Sequence, residues 1–130
     1  EELLIKYDPD TQTGCGIQYM RSKSMTNTIE FQLMEYKDGV GTPIGDMQYI
    51  QAGFRDRCRI TLDLTGTTLT ANVSSQYVDA LTGEGVTPIT LTGTITNVTN
   101  FGGFEIYHQG STGGRYVFEN VSLNYGDRTK

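Results

Sequence analysis

The chain has 130 residues and a net charge of −5, with 15 acidic side chains against 10 lysines and arginines. This length predicts a single domain over residues 1–130, large enough to fold without a metal or a disulfide. The acidic balance argues against nucleic acid as a partner, because nucleic-acid binding depends on Lys and Arg. No apolar run approaches the ~20 residues that a transmembrane helix needs, so we expect no membrane span.

Alternation of apolar and polar residues predicts nine strands, and the composition, with 19 Thr and 16 Gly, favours strands and turns. The predicted strands are 2–7, 14–22, 28–37, 46–52, 57–65, 67–78, 86–96, 103–109 and 114–125. A turn is predicted at 42–45, between the strands 28–37 and 46–52, because Pro and Gly are close together there. Many short strands at this spacing, without a competing helix, predict an all-β, antiparallel β-sandwich.

The clearest element is the hairpin of residues 57–77, in which two alternating strands flank a Thr-Gly-Thr turn. One face of this hairpin is apolar and is predicted to be buried. The other face is polar and is suited either to sugar hydroxyls or simply to water. It places Arg57, Arg59, Thr61 and Asp63 across from Thr70, Asn72, Ser74 and Gln76. The loop is Thr65-Gly66 or Gly66-Thr67, since both registers preserve the two faces.

Two features bear on the origin of the chain. Residues 1–7 are predicted as a strand without the pattern of a signal peptide, and residues 124–130 are polar like a linker, so we expect a domain excised from a larger protein.

Cys15 and Cys58 each share the parity of their strand's apolar residues. This predicts two buried thiols, with a disulfide as the alternative.

Several segments resemble the concanavalin A-like, or laminin-G-like, jelly-roll family over nearly the whole chain. Residues 14–21 resemble a glycine-led strand of that family, residues 59–70 its central hairpin, and residues 101–107 with 116–123 its closing pair of strands. The resemblance implies a non-catalytic carbohydrate-binding or accessory module of a secreted, multidomain bacterial glycoside hydrolase. The implied location is extracellular or at the cell surface, and the implied partners are a polysaccharide or oligosaccharide and neighbouring domains of the same polypeptide.

The chain has no tryptophan, so an aromatic platform for a sugar ring must come from tyrosines. Arginine and amide side chains are suited to bridging adjacent hydroxyls. The predicted carbohydrate-binding residues are Gln32, Tyr36, Tyr49, Arg57, Arg59, Asn72, Gln76, Tyr77 and Tyr107. The irregular segment 77–88 joins these candidates because long loops often determine specificity, whereas Tyr19 and Tyr116 are predicted to lie in the core.

Other chemistry receives weaker support from the sequence. The resemblance makes a structural calcium ion plausible, with Asp8, Asp10 and Asp127 as candidate ligands, and no other cofactor is expected. No catalytic residue is predicted, although Glu30 paired with Glu105 or Asp63 would suit a glycoside-cleaving alternative. His108 is expected to be structural or to contact a ligand. The principal rival is a protein-docking or spacer sandwich that binds no sugar.

Overall fold

The computed structural model describes residues 1–96 and 103–107. Eight strands occur within these residues, and the ninth predicted strand, 114–125, lies outside them. In chain order they are β1 (Glu2–Asp8), β2 (Thr13–Arg21), β3 (Thr28–Lys37), β4 (Val40–Gln51), β5 (Cys58–Thr65), β6 (Thr68–Ser75), β7 (Ile89–Thr94) and β8 (Phe104–Tyr107).

The strands form two antiparallel sheets that enclose one core, which confirms the predicted all-β sandwich. One sheet has five strands in the order β4, β3, β2, β1, β8, and the other has three in the order β5, β6, β7. The sheets adjoin where β4 meets β7, and there the side-chain amide of Gln48 donates to the carbonyl of Thr90 at 2.8 Å. Gly93 leaves room for Ile44 at this junction, because a Cβ at residue 93 would overlap the Ile44 side chain.

The core contains the alternating apolar residues of both sheets, as the sequence pattern predicted. Tyr19 is only 8% exposed, which confirms its predicted place in the core, and its ring stacks on Phe31 with 6.1 Å between centroids. Tyr116 lies outside the described residues. The buried cluster comprises Cys15, Ile17, Tyr19, Phe31, Leu33, Ile50, Leu69, Ala71, Val73, Leu91 and Ile95.

Both cysteines are free thiols, so the disulfide alternative is not what the structure shows. Cys15 is buried, and desolvation raises its pKa to about 12. Cys58 is half-buried, and desolvation also raises its pKa. Because the thiolate is the reactive form of cysteine, neither residue has the character of a nucleophile.

The central hairpin has the predicted faces, and the structure settles its register. Thr65 pairs with Thr68, so the loop is Gly66-Thr67, and Gly66 adopts a positive φ of 60° that suits glycine. Arg59 pairs with Ser74 in the resulting ladder, which places all predicted polar residues of β5 and β6 on the outward side.

The predicted turn at 42–45 is wrong, because these residues lie within the 12-residue strand β4. Pro43 is tolerated there because β4 is at the edge of its sheet, where a missing N–H costs little. The pairing of β3 with β4 shifts between Phe31 and Leu33, and Gly45 near this bulge has a φ of 66°. The proline and glycine signals therefore mark an edge and a bulge within a strand.

Strands β1 and β2 approach each other closely at two glycines. A Cβ at residue 16 would overlap the carbonyl oxygen of Leu3, and a Cβ at residue 14 would lie 2.8 Å from the Cα of Tyr7. Both positions therefore require glycine for the observed packing of β1 against β2.

Candidate functional site

The structure does not bring the nine predicted binding residues into one surface. Gln32, Tyr36 and Tyr49 lie on the outward face of the five-stranded sheet, which we call the open face. Arg59 and Asn72 lie on the outward face of the three-stranded sheet, which we call the threonine face. Gln32 therefore shares no face with these two residues, since β3 and β5 belong to different sheets.

The remaining candidates flank these faces. The Gln76 N–H donates to the carbonyl of Arg57 at 3.0 Å, so both residues extend the ladder of β5 and β6 beyond the strand ends. Tyr77 follows and is half-buried. Tyr107 is placed by its backbone alone, in register with Glu2 of β1.

The side chains of the threonine face hydrogen-bond to one another. The Thr90 hydroxyl donates to the Asn72 side-chain oxygen at 2.7 Å, and the Thr65 hydroxyl donates to Asp63 at 2.8 Å. The hydroxyls of Thr70 and Thr92 form a further pair at 3.3 Å. No aromatic residue projects outward from β5, β6 or β7. The described residues of this face therefore offer no flat ring, and much of their hydrogen-bonding capacity is already used.

The open face carries an exposed aromatic ring beside a shallow depression. Met20, Glu30 and Tyr49 form one row across three neighbouring strands, where directly paired side chains lie about 5 Å apart. Tyr49 is 45% exposed, and Met20 and Met47 are similarly exposed. The depression is lined by Gln18, Met20, Glu30, Gln32 and Met47, together with Tyr19 and Phe31 beneath them. Apolar contact surface, a carboxylate and amides thus occur together here.

Gln32 supports this depression instead of projecting toward solvent. Its amide nitrogen is within hydrogen-bonding distance of the carbonyls of Leu33, Ile44 and Gly45, at 3.2, 3.0 and 3.2 Å. These contacts bridge β3 and β4 at the bulge described above. Gln32 consequently shapes the floor of the depression, and its amide donor is committed within the protein.

A second group on the open face surrounds Tyr36. Its hydroxyl donates to Glu2 Oε1 at 2.6 Å, and the Gln18 amide donates to the same oxygen at 3.4 Å. Burial raises the pKa of Tyr36, and the hydrogen bond to Glu2 raises it further. Burial also raises the pKa of Tyr7, with added contributions from Glu105 and Glu2. Tyr36 is therefore anchored, and it is less available than Tyr49 as a stacking surface.

The sequence did not point to Glu2 or Tyr7 as members of this group. Glu2 joins it because Glu2 pairs with Gln18 of β2, and local alternation does not encode which strands pair. Tyr7 joins it after a register shift between Ile5 and Asp8 that interrupts the alternation of β1.

The predicted specificity loop at 77–88 is partly ordered by its own hydrogen bonds. An isolated bridge joins Val78 to Gly85, and the Asp79 carboxylate accepts from the N–H groups of Leu81 and Thr82 at 2.8 and 2.9 Å. Backbone hydrogen bonds from Thr82 and Leu81 hold the pKa of Asp79 below its usual value. The turn leaves the Leu81 side chain almost fully exposed.

Neither carboxylate pair raised from the sequence is assembled. Glu30 and Asp63 lie on the outward faces of different sheets, with the core between them. Glu30 and Glu105 share the five-stranded sheet, but β3 and β8 are three strand positions apart, roughly 14 Å. Glycoside hydrolysis requires a separation of about 5 to 9.5 Å between the two carboxyl groups.

The aspartates proposed as calcium ligands have a structural role in the described residues. Asp8 Oδ1 accepts from the Asp10 N–H at 2.9 Å and thereby stabilises the turn between β1 and β2. Asp127 and His108 lie outside the described residues. Within residues 1–96 and 103–107, no group of three or more His, Cys, Asp or Glu side chains is placed to hold a metal ion.

Comparisons with protein-family models, with curated proteins and with solved structures gave no match to this chain. The jelly-roll resemblance therefore remains a prediction, whereas the two-sheet β-sandwich is an observed property of the structure. In the part of the chain that the structure describes, no helix has the length and apolarity to cross a membrane.

Proposed function

We propose that this domain is a non-catalytic carbohydrate-binding module, and that a polysaccharide or oligosaccharide lies on its open face. The observation that supports this proposal is the row of Met20, Glu30 and Tyr49 beside the depression. An exposed tyrosine ring there lies in one row with the Glu30 carboxylate, near the Gln18 amide.

This row has the chemistry that a sugar ring requires. The C–H face of a pyranose packs against an aromatic ring, and a tyrosine does this while its own hydroxyl stays in water. The Glu30 carboxylate accepts hydrogen bonds from sugar hydroxyls, and the Gln18 amide offers both a donor and an acceptor. The exposed thioethers of Met20 and Met47 adapt their shape to the remaining apolar surface of the ligand.

The wider biological setting belongs to the same proposal. The domain is an accessory module of a secreted, multidomain glycan-active enzyme, outside the cell or at its surface. It acts by raising the effective concentration of a neighbouring catalytic domain on its polysaccharide, without performing a reaction itself.

A protein-docking function is the second candidate, and the exposed methionines favour it. Met20 belongs to the row of Tyr49 and Met47 lines the adjoining depression, and a mixed aromatic and methionine surface is also typical of protein interfaces. Under this alternative the open face contacts a neighbouring domain, and the glycan screen described next gives no ligand.

The test is a glycan-array screen of the 130-residue chain with and without calcium, followed by calorimetric titration of a neutral hit. We expect Tyr49→Ala to weaken binding roughly 30-fold, as when a central aromatic contact worth about 2 kcal/mol is lost. Glu30→Gln should weaken it less, because the amide keeps one acceptor. Thr92→Ala on the threonine face is the matched control and should leave the Kd unchanged.

Two results would overturn the carbohydrate-binding proposal. The first is the absence of binding across neutral and acidic glycans, which would favour docking. The second is a neutral hit whose affinity falls equally with Tyr49→Ala and Thr92→Ala, since the open face would then not be the site.

A further inference from the structure

Positive charge is concentrated in two short segments of this acidic chain. Five of its ten lysines and arginines lie in residues 21–23 and 55–59, although the net charge is −5. Residues 21–27 and 52–59 together contain a single carboxylate, that of Asp56. The pair of segments therefore carries a local excess of about four positive charges, opposite in sign to the whole molecule.

Hydrogen bonds bring these two segments together at one end of the sandwich, which we call the cationic end. The Arg21 guanidinium donates to the carbonyls of Ala52 and Gly53 at 2.6 and 2.8 Å. The Ala52 N–H donates to the carbonyl of Asn27 at 2.8 Å. The Asp56 carboxylate accepts from the Gly53 N–H at 2.5 Å, so this acid helps to fold the loop.

An exposed phenylalanine lies at the centre of the cationic end. Phe54 is 88% exposed, and the Arg21 guanidinium carbon is 4.4 Å from the centroid of its ring. Since the two carbonyl contacts fix this guanidinium, the cation–π contact holds the ring in place. Arg21 covers one face of the ring, which leaves the other face available for a flat ligand.

Exposed arginines follow Phe54 in the chain. Arg55 follows Phe54 directly and is exposed, as are Arg57 and Arg59. Arg57 and Arg59 are two residues apart in extended chain, so they project to the same side of β5 about 6.8 Å apart. Positive charge therefore repeats along the residues that follow Phe54, from the loop onto the adjoining edge of the threonine face.

We infer that the cationic end binds an acidic glycan, in which carboxylate or sulfate groups are carried on the sugar rings. Arginine pairs with carboxylate and sulfate oxygens through two parallel hydrogen bonds, and the uncovered face of Phe54 packs against the C–H face of a sugar. This inference rests on the carbohydrate-binding function proposed above and narrows its ligand class.

The cationic end borders both outward faces of the sandwich, because Arg59 projects from the threonine face. Arg21 directly follows Met20 of the open face, and Ala52 is three residues after Tyr49. The ends of β2 and β4 therefore place the cationic end at the same end of the five-stranded sheet as Met20 and Tyr49 of the open face. Phe54 and Arg55 therefore lie beyond the end of the row of Met20, Glu30 and Tyr49, at the loop that leads from β4 to β5.

The experiment compares polygalacturonate, dextran sulfate and neutral dextran by calorimetry at 50 and 200 mM NaCl. We expect the acidic polymers to bind and the double variant Arg55→Gln/Arg59→Gln to weaken them at least tenfold. The higher salt should weaken wild-type binding by roughly tenfold if two charged contacts release counterions. Phe54→Ala should weaken binding with no change in the salt dependence. Lys37→Gln, at the β3–β4 turn, removes one positive charge away from the cationic end; it is the control and should have no effect.

Three outcomes would overturn this inference. Equal losses of affinity for the acidic polymers with Lys37→Gln and with the double arginine variant would indicate general charge attraction. Binding of phosphatidylserine vesicles or of single-stranded DNA as tightly as the acidic glycans would assign the surface to another kind of partner. Neutral glycan binding that depends on Tyr49, with no acidic glycan bound, would leave the proposed function intact. It would show that the cationic end is not a glycan-binding site. Thermal melting of each variant confirms that it is folded.

The converse result also separates the two proposals. Acidic glycan binding that depends on Arg55 and Arg59 but is unchanged by Tyr49→Ala would support the cationic end. The same result would remove the open face from the proposed function.

Discussion

The two outward faces of the sandwich differ in how far their polar groups are already occupied. On the threonine face the hydroxyls and the Asn72 amide hydrogen-bond to one another across β6 and β7. On the open face a tyrosine ring and two methionines are exposed beside Glu30. A polar surface is therefore a poor indicator of binding when its groups satisfy each other, and an exposed ring beside an acid is a better one.

The two outward faces also differ in the sequence pattern of their strands. The polar face of the central hairpin has the more regular pattern, in which polar residues pair with polar residues across β5, β6 and β7. The open face has a mixed pattern that includes methionines at outward positions. Irregularity on a solvent-facing strand surface is thus the feature that merits mutational testing.

The largest expected effect comes from the core beneath the open face. Phe31 is 1% exposed and lies under the depression, so Phe31→Ala should lower the free energy of unfolding by about 3–5 kcal/mol. Urea denaturation measures this change. Phe54→Ala is the matched control, expected to change the free energy by no more than ~0.5 kcal/mol because the ring is exposed. Similar values for both variants would contradict the assigned burial.

An intermediate effect is expected where the two sheets are joined through a buried carboxylate. Glu35 accepts from the Thr96 N–H at 2.9 Å and from its hydroxyl at 3.1 Å. Glu35→Ala should cost about 1–3 kcal/mol of unfolding free energy, because the Thr96 donors lose their partner. Glu35→Gln keeps one acceptor and should cost less. Equal stability of both variants and the wild type in urea would show that this contact contributes nothing.

The smallest effect is expected on the threonine face. Asn72→Ala removes the acceptor of the Thr90 hydroxyl, and this exposed bond should be worth about 0.5–1 kcal/mol in urea denaturation. The Kd for a neutral glycan should not change, because the residue is on the opposite side from Tyr49. A loss of affinity with unchanged stability would place the binding surface on the threonine face instead of the open face.

Much of the fold was predictable from the sequence because alternation is a local property. The buried faces of β2, β3, β5 and β6 all follow from residues two apart in the chain. The errors occur where the alternation is interrupted. At Pro43 and Gly45 the signals of a turn belong to an edge strand with a bulge, and an edge is defined only by which strands pair.

The candidate site was less predictable for the same reason. The sequence identifies outward residues such as Gln32 and Asn72, but it does not say that they belong to different sheets. Strand pairing brings together residues far apart in the chain, as when Met20, Glu30 and Tyr49 meet in one row. The exposure of Phe54 under Arg21 also depends on contacts between two loops, which no local pattern encodes.

The close approach of β1 to the two glycines of β2 determines more than packing distance. Residues 14 and 16 are the positions where the backbone of β1 comes too near to admit a Cβ. A strand displaced along β2 would meet the side chains of neighbouring residues at the places where it needs empty space. Gly14 and Gly16 therefore fix the register of β1 against β2. Since β8 pairs with β1, they also specify where β8 joins the sheet.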